Sequence, residues 1–360
     1  MKLAWKEISY NKKKYILIEL ILIMMIFMVI FLSGLANGLA RAVSAGIENA
    51  DALNYAVSSD SENLITVSSL DENVLATVKN STSSKVTTLN IQRMNLNKKG
   101  GTKRFDVAYF AINPEEFLNP KVTEGEKLTD KTNAIVLDES LQDSEIKVGD
   151  IVEDSATGIE LTVVGFTKDE MYGHSPIGFI SMDTYKELQQ AENPMYKTKY
   201  NAIAIEGSDI SKIKVKDVQV VDKSEIVENI PGYKAEQMTI KMILWVLVFV
   251  SAAVLGVFFY IITLQKRKEF GVMKAIGMKL KEIAATQVAQ VLILACFGVI
   301  IGNALAFGMA SVLPKSMPFY LKFTDSSLIS AAFILISMIC SLVSIREVAK
   351  VDPITIIGGN

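Results

Sequence analysis

The sequence predicts an α-helical membrane protein with four transmembrane helices plus an α+β extracytoplasmic domain inserted between the first and second spans. Three observations predict it. Four long stretches are free of charge. Lysine and arginine crowd toward one side of those stretches. About two hundred residues with short β-like runs separate the first stretch from the second, far more than a connection needs.

The charge-free runs are residues 20–40, 242–264, 283–313 (apolar at 291–310) and 326–345. Each approaches or exceeds the ~20 residues that cross a hydrocarbon core as a helix. Helix is the physical reading, because backbone polar groups there must be satisfied within the segment. The first run has a basic start like a secretory signal. Its apolar part outruns the roughly 7–15 residues of a signal core, so it is expected to remain as a span.

Orientation follows from the basic residues. Lys2, Lys6, Lys12, Lys13 and Lys14 precede the first span, and only Arg41 follows it closely. Lys266, Arg267, Lys268, Lys274, Lys279 and Lys281 fill the loop after the second. Both segments belong on the cytoplasmic side. The expected plan for this multi-pass cell-membrane protein has both termini in the cytoplasm. It runs 1–40 for an amphipathic start and first span, 41–238 for a stalk and external domain, and 239–265 for the second span. A cytoplasmic loop at 266–282, the third and fourth spans at 283–345 and a tail at 346–360 complete it.

Composition excludes several functions. The two cysteines, Cys296 and Cys340, lie inside apolar runs, so no disulfide framework or cysteine metal site is expected. His174 is the single histidine, which excludes a multi-histidine metal centre. The nearest glycine–lysine cluster, 98–103, lacks the spacing that cradles phosphates. Nothing assembles a nucleophile, a base and an orienting partner. The chain is therefore not expected to be an enzyme, to hold a tight cofactor or to bind nucleic acid.

Within 41–238, LITVSSL, KVTTLNIQ, FDVAYFAI, ELTVVGF and NAIAIEG read as strands. A turn at Ala156-Thr157-Gly158 joins two of them. Residues 80–84 read as a loop. A helix is expected to start at Asp183 and stop near Pro194. Asp222 and Glu225 give a capping-box start to another, interrupted by Pro231-Gly232. Leu39, Val43, Ile47 and Leu53 keep a helical spacing beyond the first span, predicting a stalk, although Gly38 and Gly46 weaken it.

The loop after the second span holds Glu269-Phe270-Gly271-Val272-Met273-Lys274-Ala275-Ile276-Gly277. The spacing predicts a short helix bracketed by Gly271 and Gly277, with a small apolar face for a groove on a partner. An ordinary orientation loop would need only its basic residues. The nine-residue stretch resembles the E-[IF]-G-x-x-[KR]-A-[IL]-G segment of the MacB/FtsX-type permease superfamily. That resemblance implies a coupling helix docked on a cytoplasmic ABC ATPase subunit, through Glu269, Gly271, Lys274, Ala275, Ile276 and Gly277. The start MKLAWKEI and the tail Val351-Asp352-Pro353-Ile354 are similar to the ends of the same superfamily.

Further residues are similar to the haem-efflux, HrtB-like branch. They are Ser33-Gly34-Leu35-Ala36, Met171-Tyr172 with His174-Ser175, Tyr233 with Ala235-Glu236-Gln237, Phe258-Phe259-Tyr260 and Met317-Pro318-Phe319-Tyr320-Leu321. The resemblance implies haem as transported substrate, a homodimer, and a haem site between protomers near the outer membrane surface.

Glu48 falls at the acidic stalk position of that branch, making it the candidate ligand for haem iron. Its alternatives are a solvated stalk carboxylate, or a helix-surface partner of Arg41 or of the neighbours of Asp51. Glu236 is the second candidate, its alternative an interfacial charge. His174 reads as an external loop residue, Phe258, Phe259 and Tyr260 as packing or interfacial anchors, and Met24, Met25 and Met28 as flexible core packing. Glu19 is expected to snorkel or pair with a nearby lysine. Export of a peptide, antibiotic or lipoprotein, and mechanotransmission to an external partner, remain alternatives to haem.

Overall fold

The structure, a computed structural model, describes residues 2–101, 103–131 and 133–349. The Val351–Ile354 motif and most of the expected tail lie outside the described residues. In chain order the elements are α1 (Lys2–Tyr10), α2 (Lys12–Glu48), β1 (Asn54–Ser58), α3 (Glu72–Ser81), β2 (Val86–Lys98) and β3 (Arg104–Ile112). Next come β4 (Val122–Gly125), β5 (Ala134–Asp138), β6 (Ile151–Asp154), β7 (Glu160–Thr167), β8 (Met171–Tyr172), β9 (Ser175–Ser181), α4 (Met182–Glu192), β10 (Ala202–Ile205) and β11 (Val218–Asp222). The chain continues through α5 (Lys223–Asn229), α6 (Tyr233–Gln265), α7 (Arg267–Ala275), α8 (Leu280–Ala310) and α9 (Phe323–Ala349).

The chain divides into a helical unit, with residues up to 37, 239–313 and from 319 onward, and a β-rich unit of 38–238 with 314–318. Four helices are long and apolar enough to cross a membrane: Tyr15–Glu48, Tyr233–Gln265, Leu280–Ala310 and Phe323–Ile345. The helical unit packs Leu22, Ile26 and Ile30 of α2 against Leu255 and Phe259 of α6, Val291 and Leu294 of α8 and Phe333 of α9. Such a core in lipid depends on close packing rather than on expelling water.

The β-rich unit is the extracytoplasmic domain. Its strands run β11-β1-β10-β2-β3-β9-β5-β7-β4, and β6 bridges β2 and β7. The path β2-β3-β9-β5-β7-β6 thus returns to β2, closing a small barrel beside an open sheet. β2 serves both: Val86–Leu89 pair with β10, and Leu96–Lys98 pair with β6. The side-chain period of two divides β3 between two cores. Val107, Tyr109 and Ala111 join one with Leu161 and Phe166, whereas Ala108, Phe110 and Ile112 join the other with Val43 and Ile47 of α2.

Several local expectations need correction. LITVSSL is not a strand. Ile65–Val67 form a 3-10 turn, and Leu70 makes an isolated bridge to Tyr200. α3 runs to Ser81 and takes the first residues of the expected 80–84 loop. α4 begins one residue early, because the Ser181 hydroxyl rather than Asp183 caps it by accepting from Thr184 N. Asp222 caps α5 as expected, accepting from Glu225 N. The stalk forms, since α2 is unbroken to Glu48, but Leu53 lies beyond its end and is exposed. Gly46 is required by close approach: a Cβ there would lie 2.1 Å from Ile177 Cδ1 of β9.

Candidate functional site

Two groups of residues concern function, one in each unit. In the helical unit, α7 occupies the loop between the second and third spans. Gly277 has φ +93, which an L side chain rarely adopts. Gly277 N bonds Lys274 O at 3.0 Å and Met278 N bonds Met273 O at 3.0 Å, the paired bonds of a Schellman stop. Gly271 corrects the bracketing expectation. It lies in the middle of α7 and is buried beside Phe270. Phe270 packs on Ile283 at the start of α8, with Met273 and Met278 around them.

The opposite face of α7 is open. Lys268, Glu269, Val272, Ala275 and Ile276 are exposed, whereas Lys274 is half-buried. Val272 and Ile276 stand one turn apart, giving a small apolar knob ringed by charges. Lys266, just before α7, departs from the expectation of a solvated orientation charge. Its side chain is only 3% exposed and is paired with Glu7 of α1.

In the β-rich unit, Glu48 ends α2. Its Oε1 accepts from Ser44 Oγ at 2.6 Å, and its Oε2 is 3.7 Å from Arg41 Nη1. The sequence alternative of an Arg41 pair is therefore formed. The Glu48 side chain is still 36% exposed. Lys223 Nζ donates to Glu48 O and Ala50 O, placing a cation at the negative end of the helix. Burial pulls Lys223 below the ordinary lysine range.

Glu236, in the first turn of α6, lies 2.9 Å from His174 Nε2. No sequence spacing announced this pair. His174 occupies the two-residue turn between β8 and β9, where Gly173 and His174 both have positive φ, as a type I′ hairpin requires. Histidine is one of the few residues besides glycine, asparagine and aspartate that enter that region with some frequency. Gly173 N donates to Val43 O at 2.9 Å and His174 N to Ala42 O at 2.8 Å, pinning the turn to α2. Arg93 Nη2 donates to Gly173 O and Ser175 Oγ and braces it from behind. Glu48 and Glu236 thus have separate partners, Ser44 and Arg41 for one and His174 for the other.

Deeper in the same unit, Asn49 accepts from Arg41 Nη2 at 3.0 Å and donates to Glu170 Oε1 at 3.2 Å. Burial raises the Glu170 carboxyl to about 8, against the Asn49 hydrogen bond that lowers it. Among the described residues no group of three or more His, Cys, Asp or Glu could hold a metal ion.

Other sequence candidates separate. Phe259 is buried in the helical core, Phe258 packs partly against it and Tyr260 is 44% exposed. Met25 packs on the core, but Met24 and Met28 face outward, correcting their expected role. Glu19 does not snorkel. Both its carboxylate oxygens are enclosed without a hydrogen-bond partner among the described residues.

Comparison with known proteins places this architecture. The MacB-like periplasmic core domain matches residues 16–217, and the FtsX-like permease C-terminal region matches 241–353. The chain belongs to this family of ABC transporter permeases. It is 31% identical, over its full length and 99% of the relative, to a Staphylococcus haemolyticus protein provisionally named hemin transport system permease protein HrtB. A Staphylococcus epidermidis protein of the same name is 32% identical, also over the full chain and 99% of the relative. The extracellular domain of YknZ, a noncanonic ABC-type transporter from Gram-positive bacteria, aligns over 47% of this chain and 98% of its own. That alignment has 14% identity and a TM-score of 0.35.

Proposed function

We propose that this chain is the membrane subunit of an ABC efflux system that exports haem, driven by a separate cytoplasmic ATPase subunit. The observation that carries the reading is the full-length similarity to permeases named for hemin transport. The basic loops orient the chain with both termini in the cytoplasm. The exposed face of α7, with Glu269, Ala275, Ile276 and the Gly277 stop, is the docking point for the ATPase, and Gly271 and Lys274 seat it. Two copies of the chain form the working unit, with haem held between their α2 stalks.

Glu48 is the proposed iron ligand and Glu236 a second substrate contact. Haem iron accepts oxygen ligands, and an exporter needs ligation weak enough to release. The half-buried Arg41–Glu48 pair is long, at 3.7 Å, and is worth little more than the roughly 0–1 kcal/mol of a surface pair, so Glu48 exchanges Arg41 for iron at modest cost. ATP-driven movement of α7 closes the stalks and expels haem. Direction arises only because the two states bind haem with different affinity.

Deletion of the chain tests the reading. Growth in excess haemin should fall sharply and return on complementation. Unchanged tolerance, with lost tolerance to a peptide antibiotic instead, would move the cargo to another amphipathic class.

A further inference from the structure

Lys266 sits at a junction. Its backbone N–H bonds Ile262 O and Thr263 O at 3.2 Å, at the end of α6. Its carbonyl accepts from Phe270 N at 3.0 Å and is thus bonded into the first turn of α7. Its side chain, 3% exposed, reaches away from α7 into the helical unit. There Nζ pairs with Glu7 of α1 and donates to Gln290 Oε1 of α8 at 2.7 Å. Gln290 Nε2 in turn donates to Glu7 Oε2, closing a ring of three residues. Tyr15 of α2 completes the cluster. Its ring centroid lies 5.5 Å from Lys266 Nζ, and its hydroxyl donates to Gln290 Oε1 at 3.4 Å.

A lysine serving only as an orientation signal would stay in water. A buried ammonium instead needs a carboxylate and further hydrogen bonds, and it becomes costly once any partner is withdrawn. The five elements meeting here therefore favour moving together over separating. We propose that Lys266 is the positioning residue that transmits displacement of α7 to α1, α2 and α8, with Glu7 and Gln290 as its grips. The proposal rests on the reading that an ATPase docks on α7. It adds that docking and transmission are separable: the exposed face of α7 binds, and the buried Lys266 ring conveys.

The chain supplies its own reporter. Trp5 and Trp245 are its two tryptophans, and the Trp5 ring of α1 lies 6.4 Å from Phe297 of α8. The full-length chain, labelled with 5-fluorotryptophan and reconstituted in nanodiscs with an unlabelled ABC ATPase subunit from the same organism, is followed by fluorine NMR before and after ATP with vanadate. Trp5→Phe assigns the resonance. In the wild type the Trp5 resonance should shift on trapping. In Lys266→Met the ATPase should bind at wild-type stoichiometry while the shift is lost, and in Glu7→Gln the shift should shrink at least twofold. The exchange Glu7→Lys with Lys266→Glu should restore it. A full shift in Lys266→Met would overturn the proposal, as would a wild-type complex whose Trp5 resonance does not move. Should Lys266→Met fail to fold, Glu7→Gln decides on the same terms, a full shift overturning the proposal. Failure of the wild-type chain to bind any ATPase would instead sink the proposed function on which the inference stands.

Discussion

The helical unit and the extracytoplasmic domain use polar residues in opposite ways. In the domain, buried polar groups form local, well-connected networks. Asp154, wholly buried, accepts from Tyr109, Ala156 and Thr157. Asp138 accepts from Ser140 N and Glu170 N. These bonds hold turns and strand ends in place. In the helical unit most buried polar residues are hydroxyls, such as Thr263, Ser337 and Ser344, which donate to carbonyls one turn back in their own helices, and α6 exposes Trp245 and Phe249 on its outer face. There a buried charge such as Lys266 stands out, because an ammonium enclosed by protein depends on partners such as Glu7 and Gln290. Buried hydroxyls are thus architecture in both units, whereas the buried ammonium of Lys266 joins α1 and α8 and is the group proposed to convey motion.

Substitutions can break this comparison, and the largest effect is expected at α7. Phe270→Asp puts a charge where a ring packs on Ile283. It should unseat α7 and abolish ATPase co-purification while leaving the domain folded, read as unchanged protease resistance of the 41–238 segment. Loss of the domain fold would show that the two regions are less separable than argued.

The next effect belongs to Glu170. Its folded pKa is raised, so the stability it allows is complete below about pH 4.5 and is lost as pH rises toward about 8. The total is on the order of 5 kcal/mol. Thermal unfolding of the full chain should lose Tm over that range, and Glu170→Gln should flatten the decline. An identical slope in the variant would remove Glu170 as its source.

Gly46→Ala is expected to cost about 1–3 kcal/mol, because its Cβ meets Ile177 and the packed layer must shift. Ile177→Ala should recover part of that cost in the double variant, measured by unfolding. The smallest stability effect is at the stalk end. Glu48→Ala should change stability by less than about 1 kcal/mol yet weaken haemin binding at least tenfold in a Soret titration. An identical titration would remove Glu48 as ligand.

The four spans and the inserted domain were legible because charge-free length and basic asymmetry are one-dimensional signals. The α5 cap at Asp222 and the Ala156–Gly158 turn were legible for the same reason. LITVSSL was misread because β-branched composition marks a strand only where a ladder forms, and here the pairing is limited to the isolated Leu70–Tyr200 bridge. Gly271 was misplaced because a glycine within a helix and one at its end look alike until packing is known. The His174–Glu236 and Glu7–Lys266 pairs join distant parts of the chain. In each, the residue types were visible but the pairing needed the fold. The burial of Lys266, the reverse of a solvated loop lysine, likewise needed the fold.

The central claim is that this family member moves haem at the expense of ATP through α7. Proteoliposomes holding the chain and its ATPase, loaded with haemin in the bilayer, test it most directly. The account predicts ATP-dependent transfer of haemin to an acceptor such as apomyoglobin on the side facing the domain, abolished by Phe270→Asp and by vanadate. ATP hydrolysis by the assembled complex with no haemin transferred above the ATP-free control would contradict it.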